Sequence, residues 1–299
     1  MKTNIRRKLS MFGKKMKVMT ATVLAVALAM SQGTVLQVKG SSDVPAGKIQ
    51  ELKEEKTYSY DLDGDGTQEK LSYELKNNCY RIYINDKKAQ EIKLNDSYYA
   101  PVLQIADLDT STPGLDLWAY CYASSDDISY SGLYQYSNQK LKEVFRLEYQ
   151  KISKNFEVKS GYLSKTDGKG NFSIAMDRVF DATNLVGNYY VNIPYQLKNG
   201  KVKRVSKNVY KFAAMYSTDS KISSGKFKAA KNIKFYAKPN TKSKTAFTLK
   251  KGKIVKAESI YFKNGVTYVK FKASNGKTGY LKGNRSFEGM MFSNMLLAD

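Results

Sequence analysis

"TYSYDLDGDGTQEKLSYELKNNCYRIYI", residues 57–84, places apolar side chains at every second position: Tyr58 and Tyr60, then Leu71, Tyr73 and Leu75, then Tyr80, Ile82 and Ile84. Short runs with this period, bounded by Asn, Asp and Gly, are strands with one buried face. The same reading extends through "VLQIADLD" (102–109), "LDLWAYCY" (115–122), "GLYQYSNQKLKEVF" (132–145) and "GNFSIAMDRVF" (170–180). Asn-Gly pairs at 199–200, 264–265 and 275–276 sit between strand-like runs. Both residues tolerate the positive φ of a tight hairpin turn, so three hairpins are expected there. With 23 Tyr, 13 Phe, only five Pro and no long helical pattern after Lys56, the chain reads as all-β and antiparallel.

The first 17 residues hold seven Lys/Arg and no acid, residues 18–30 carry no charge, and Ala27-Leu28-Ala29 offers a small-x-small cleavage site. This is the pattern of a secretory signal peptide over 1–29, the alternative being an uncleaved anchor. A spanning helix needs about 20 apolar residues, so no transmembrane span is expected after cleavage. Residues 30–56 read as a leader or short helix, and 57–212 as a first β domain. "AAMYSTDSKISSGK" (213–226) reads as a linker, and 227–299 as a second domain whose apolar tail folds back on it. Charge divides along the same line. Residues 222–299 carry 17 Lys/Arg against three acids, whereas residues 30–221 carry 26 against 24. Two regions with different partners are implied. Cys79 and Cys121 are either one disulfide of an exported chain or two buried thiols. His is absent, which excludes His-dependent triads, His bases and His metal ligands.

Asp61, Asp63, Asp65 and Glu69 put four carboxylates into nine positions. In D-x-D-x-D-G, alternate side chains turn round one centre and Gly66 permits the bend. A backbone carbonyl near Thr67 and the carboxylate of Glu69 complete a ring of oxygens suited to calcium. The alternative is a plain acidic β-turn. An EF-hand is excluded, since its twelfth position is Ser72 and strands flank the loop. The loop and its strands resemble the integrin-type FG-GAP/VCBS repeat, a β-propeller-blade motif with a calcium loop, over about residues 57–150. A weaker copy follows at Asp107, Asp109 and Asp116, with Ser111 in place of the third acid. The resemblance implies a partial, propeller-like domain of two or three blade-like units.

"IKFYAKPNTKSKTAFTLKKGKIVKAESIYFKNGVTYVKFKASNGKTGYLKGN" (233–284) reads as five or six short strands joined by Gly and Asn turns, the pattern of a small barrel. "IKFYAKP" (233–239), "AFTLKKGKIVKA" (246–257) and "GVTYVKFKASNGKTGYL" (265–281) resemble, in order, the motifs of the bacterial SH3 (SH3b-type) domain. Tyr268 and Tyr280 stand where that family has Trp, and Lys234 where it has Asn. The resemblance implies an SH3-like barrel that binds peptidoglycan, with Tyr236, Tyr268 and Tyr280 in a groove; core positions for one or two of them are the alternative. The lysines add a positive field that suits an anionic wall polymer such as teichoic acid. Nucleic acid meets the same electrostatic requirement, but export argues against it, and a merely solubilising surface is the third reading.

The expected function is an exported, noncatalytic wall-binding protein. A wall hydrolase is the second hypothesis, with Asp126 and Asp127 as the acid pair in view. A protein- or glycan-binding surface built from the tyrosines of 98–101, 129–136 and 188–195 is the third.

Overall fold

The computed structural model describes residues 44–94, 100–122, 128–148, 150–158, 160–215, 225–286 and 290–296. The expected signal peptide, Asp126 and Asp127, and most of the expected linker (216–224) lie outside these residues. So do Tyr98 and Tyr99. Among the described residues no helix is long and apolar enough to cross a membrane.

Strand β1 (Ile49–Glu51) replaces the short helix considered for the leader. Strands β2 (Tyr58–Tyr60), β3 (Glu69–Lys76), β4 (Cys79–Ile84) and β5 (Lys87–Lys93) then form a four-stranded antiparallel meander. A second follows as β6 (Ala100–Ala106), β7 (Asp116–Tyr122), β8 (Ile128–Ser137) and β9 (Lys140–Leu147), with β1 added at its β6 edge. After the hairpin β10 (Gln150–Ser153) and β11 (Phe156–Val158) comes a third: β12 (Gly161–Thr166), β13 (Asn171–Asp177), the single helical turn α1 (Thr183–Val186), β14 (Tyr189–Lys198) and β15 (Lys201–Arg204). The chain is all-β and antiparallel, as its alternation requires.

The remaining strands are β16 (Val209–Met215), β17 (Lys226–Lys228), β18 (Ile233–Tyr236), β19 (Thr245–Leu249), β20 (Ile254–Lys263), β21 (Val266–Ala273) and β22 (Thr278–Lys282). Strand β16 pairs with β14 on one side and β20 on the other, so the third meander and the basic C-terminal strands share one continuous sheet. Residues 213–215, expected in a linker, are strand. Among the described residues none of the sheets closes on itself.

Turn chemistry fixes the hairpins. Asn199-Gly200 and Asn264-Gly265 both have positive φ at each residue, as the sequence requires of a two-residue turn. At 275–276 only Gly276 is left-handed, and Ala273 pairs with Lys277, so that connection is a longer loop. Asn77-Asn78, Asn85-Asp86 and Asn138-Gln139 make further two-residue turns without glycine, because Asn tolerates the left-handed region.

Two cores hold the meanders together. Strand β7 is central and buried on both faces rather than one. Leu117, Ala119 and Cys121 pack with the first meander, while Trp118 and Tyr120 pack toward the third. The second core runs on without a break through Phe180 and Tyr210 to Phe227, Phe271 and Phe292. Phe180 is its hinge pin, with Phe156 at 4.9 Å, Tyr210 at 4.7 Å and Phe262 at 5.0 Å between ring centroids. The described part of the tail folds back: Phe292 is buried and bridges to Ala229, and Asn294 accepts a hydrogen bond from Lys228 N–H at 2.8 Å.

Candidate functional site

The acidic turn lies between the first two strands of its meander. Carboxylate oxygens of Asp61, Asp63 and Asp65 all come within 4.8 Å of one another. Backbone N–H groups shape the turn from inside: Gly66 donates to Asp61 Oδ2 (3.0 Å) and Thr67 to Asp65 Oδ1 (2.6 Å). Asp61 Oδ1 is shut off from solvent and has no hydrogen-bond partner. Three clustered carboxylates, one with an idle buried oxygen, fit a hard cation that takes oxygen ligands. Glu69 stands apart from this trio. Its Oε2 accepts the Leu62 N–H at 2.9 Å from a buried position. Burial raises its pKa, the Leu62 N–H opposes this, and the charges of Asp63, Asp65 and Asp61 add to the rise. Glu69 thus ties the end of the turn back to its start. Thr67 is exposed.

The second turn repeats this construction with a different acid. Asp116, the first residue of β7, takes the Leu108 N–H on Oδ2 (3.1 Å) and Gln135 Nε2 on Oδ1 (2.8 Å), as Glu69 takes Leu62. Asp109 instead accepts from the Ser111 hydroxyl and N–H. Burial pushes Asp116 up to about 6. A carboxyl whose folded pKa lies above its unfolded value stabilises the fold fully below the unfolded value and loses that contribution as pH rises through the folded one. The protein should therefore lose about 2–3 kcal/mol relative to Asp116→Asn between pH 4 and pH 6.5. Urea melts across that range check this, and a gap that does not change with pH would refute it.

A third turn, "TDGKGN" (166–171), occupies the same place in the third meander and was not apparent from acid spacing. It carries one acid, Asp167, which takes the N–H groups of Lys169 and Asn171. The three turns stack. Leu115 N–H donates to Leu62 O (3.0 Å), Gly170 to Leu108 O (2.6 Å) and Leu197 to Gly170 O (2.7 Å). Glycine is required where they touch, since a Cβ on Gly114 would lie 2.5 Å from Leu62 O. Beside the stack is a shallow cleft of about 130 Å³, with Asp109, Pro113, Asp116, Tyr136 and Asn199 in its walls.

Comparison with protein-family models, curated proteins and solved structures gives no match.

Of the three expected groove residues, Tyr236 and Tyr280 are cross-strand neighbours on β18 and β22, both half-buried. Tyr268, opposite Lys282 on the same face, is 8% exposed and offers little ring surface. Cys79 is half-buried on β4 and Cys121 is buried on β7. Both are free thiols, with Cys121 pushed up to about 12 by burial.

Proposed function

We infer that this is an exported, noncatalytic protein whose basic C-terminal strands bind a cell-wall polymer, peptidoglycan or an anionic chain, while the N-terminal meanders form a scaffold stiffened by calcium. The observation that carries this reading is the charge on β17 to β22. Residues 225–286 hold 17 Lys/Arg and one acid, Glu258. The arrangement β20-β21-β22-β18-β19, with β17 beside β20, supports an SH3-like description of these strands. Three successive four-stranded meanders with a turn at one place in each support a propeller-like description of the front. No observation favours the hydrolase over this reading.

The secreted chain is expected to sediment with purified Gram-positive walls at low salt and to be released at high salt, since exposed charges are screened. Failure to sediment at low salt would overturn the assignment. The intact chain is the right reagent, because cutting at residue 222 would strip the buried Phe227, Phe271 and Phe292 from a shared core.

Calcium in the first turn would be held by Asp61, Asp63 and Asp65. An ion at 100 times its Kd adds about 2.7 kcal/mol, worth roughly 5–10 °C in a domain of this size. Asp63→Ala should abolish the rise. Identical melting of the unmodified protein in calcium and in chelator would sink the site.

A further inference from the structure

Strand register brings Lys226, Lys256 and Lys272 into one row: Lys226 is the Cα partner of Lys256 across β17 and β20, and Lys256 of Lys272 across β20 and β21. All three are exposed. Neighbouring strands lie about 4.8 Å apart, and like charges directly opposite one another destabilise a sheet. Among the described residues no ion pair relieves this row. The nearby acid, Glu258, is taken by Lys270 Nζ at 3.3 Å. Some basic side chains elsewhere are paired with acids, although Lys198 and Lys201 also face one another across β14 and β15. On the first meander, Arg81 sits between Glu74 (3.5 Å) and Glu91 (2.7 Å), and Lys88 also reaches Glu91 (3.0 Å). The row is longer than the single Lys198–Lys201 pair: it sets three lysines side by side across three strands, an accumulation of like charge that costs folding energy unless an anion neutralises it.

The face around the row has its own character. Partners on one side of an antiparallel sheet continue it through Lys270, Tyr280 and Tyr236, and through Tyr268 and Lys282. The opposite face, with Phe235, Val269, Phe271 and Leu281, is fully buried. The solvent face is therefore a lattice of ammonium groups set among recessed phenol rings. Base stacking needs rings open to solvent, and these are half-buried or buried. Phosphates need only the cations.

We propose that the row Lys226, Lys256 and Lys272 is the seat of a linear polyol-phosphate chain, whose successive phosphodiesters cross β17, β20 and β21 along the line of ammonium groups. This deepens the wall-binding reading and rests on it: it names the anionic polymer, not peptidoglycan, as the ligand and gives its place.

The test uses the secreted chain and a poly(glycerol phosphate) probe, titrated by fluorescence anisotropy over a series of salt concentrations. The triple variant Lys226→Gln, Lys256→Gln and Lys272→Gln should bind at least about tenfold more weakly, with a shallower dependence on salt. Lys87→Gln, Lys140→Gln and Lys142→Gln together remove the same charge from exposed positions on β5 and β9 and should change binding by no more than about threefold. The row variant should also melt at or above the temperature of the unmodified protein, because it relieves repulsion, so lost binding will not reflect lost folding. Equal weakening in the two triples would overturn the proposal, as would tighter binding of an oligothymidylate with the same number of phosphates. Walls freed of phosphodiester polymers by acid should no longer sediment the protein. Sedimentation with such walls would refute the polymer while leaving wall binding intact, whereas failure with untreated walls would remove both.

Discussion

Trp118→Ala should lower the free energy of unfolding by about 3–5 kcal/mol, the loss typical of removing a large ring from a packed interior. Trp118 has no exposed surface, and its ring meets Phe145 at 6.4 Å. Its Nε1–H also donates to Gly161 O at 2.9 Å, and Gly161 N–H donates to Ser131 Oγ at 3.1 Å. The side chain therefore ties the second meander to the first strand of the third. Trp118→Phe keeps most of the packing but leaves Gly161 O unpaired in the interior, which costs about 1–3 kcal/mol. Urea denaturation of the three proteins should give that order. A loss below 1 kcal/mol for the alanine variant would show that this contact does not join the two meanders.

Gly283→Ala should cost at least about 3 kcal/mol, although it adds a single methyl group. That Cβ would lie 2.1 Å from Asp181 O and 3.1 Å from Ala182 Cα, both backbone atoms. Neither side can withdraw. Gly283 N–H donates to Thr267 O (3.0 Å), and Asn284 exchanges hydrogen bonds with Asn184. One residue on, Arg285 reaches Glu157 (2.8 Å) and Asp181 (2.5 Å). Gly276→Ala is the contrast: its Cβ meets nothing within 4 Å, and the positive φ of 82° alone costs about 1 kcal/mol. Because Gly283 lies where the C-terminal strands cross the α1 turn, its substitution should lower the melting of the whole region from β10 onward as one transition. A separate, unshifted transition for the third meander would show that the two parts fold independently.

Much of this was open to a reader of the sequence. Period-two runs gave the strands of the first meander, because its outer face is solvated and polar residues mark every second position. The Asp61, Asp63 and Asp65 cluster was equally visible, since the three lie within five consecutive residues of one turn. Strand β7 was read as half-buried, yet "DLWAYCY" is enclosed on both faces; tyrosine and alanine serve inside or outside, so composition did not distinguish the two. Glu69 looked like a fourth ligand by spacing. Its Oε2 takes the Leu62 N–H, a contact with a backbone group that the sequence does not display.

Local rules sufficed wherever the interacting residues are near one another in the chain: alternation along a strand, Asn in a left-handed turn, carboxylates gathered in a loop. Tertiary structure alone decided the stack of the three turns, the continuity of the sheet through β16, and the alignment of Lys226 with the Lys256–Lys272 pair of the β20–β21 hairpin. The physical reason is common to all three. Each depends on register between strands up to dozens of residues apart, and register is set by the joint burial of whole faces, which no single stretch of sequence encodes.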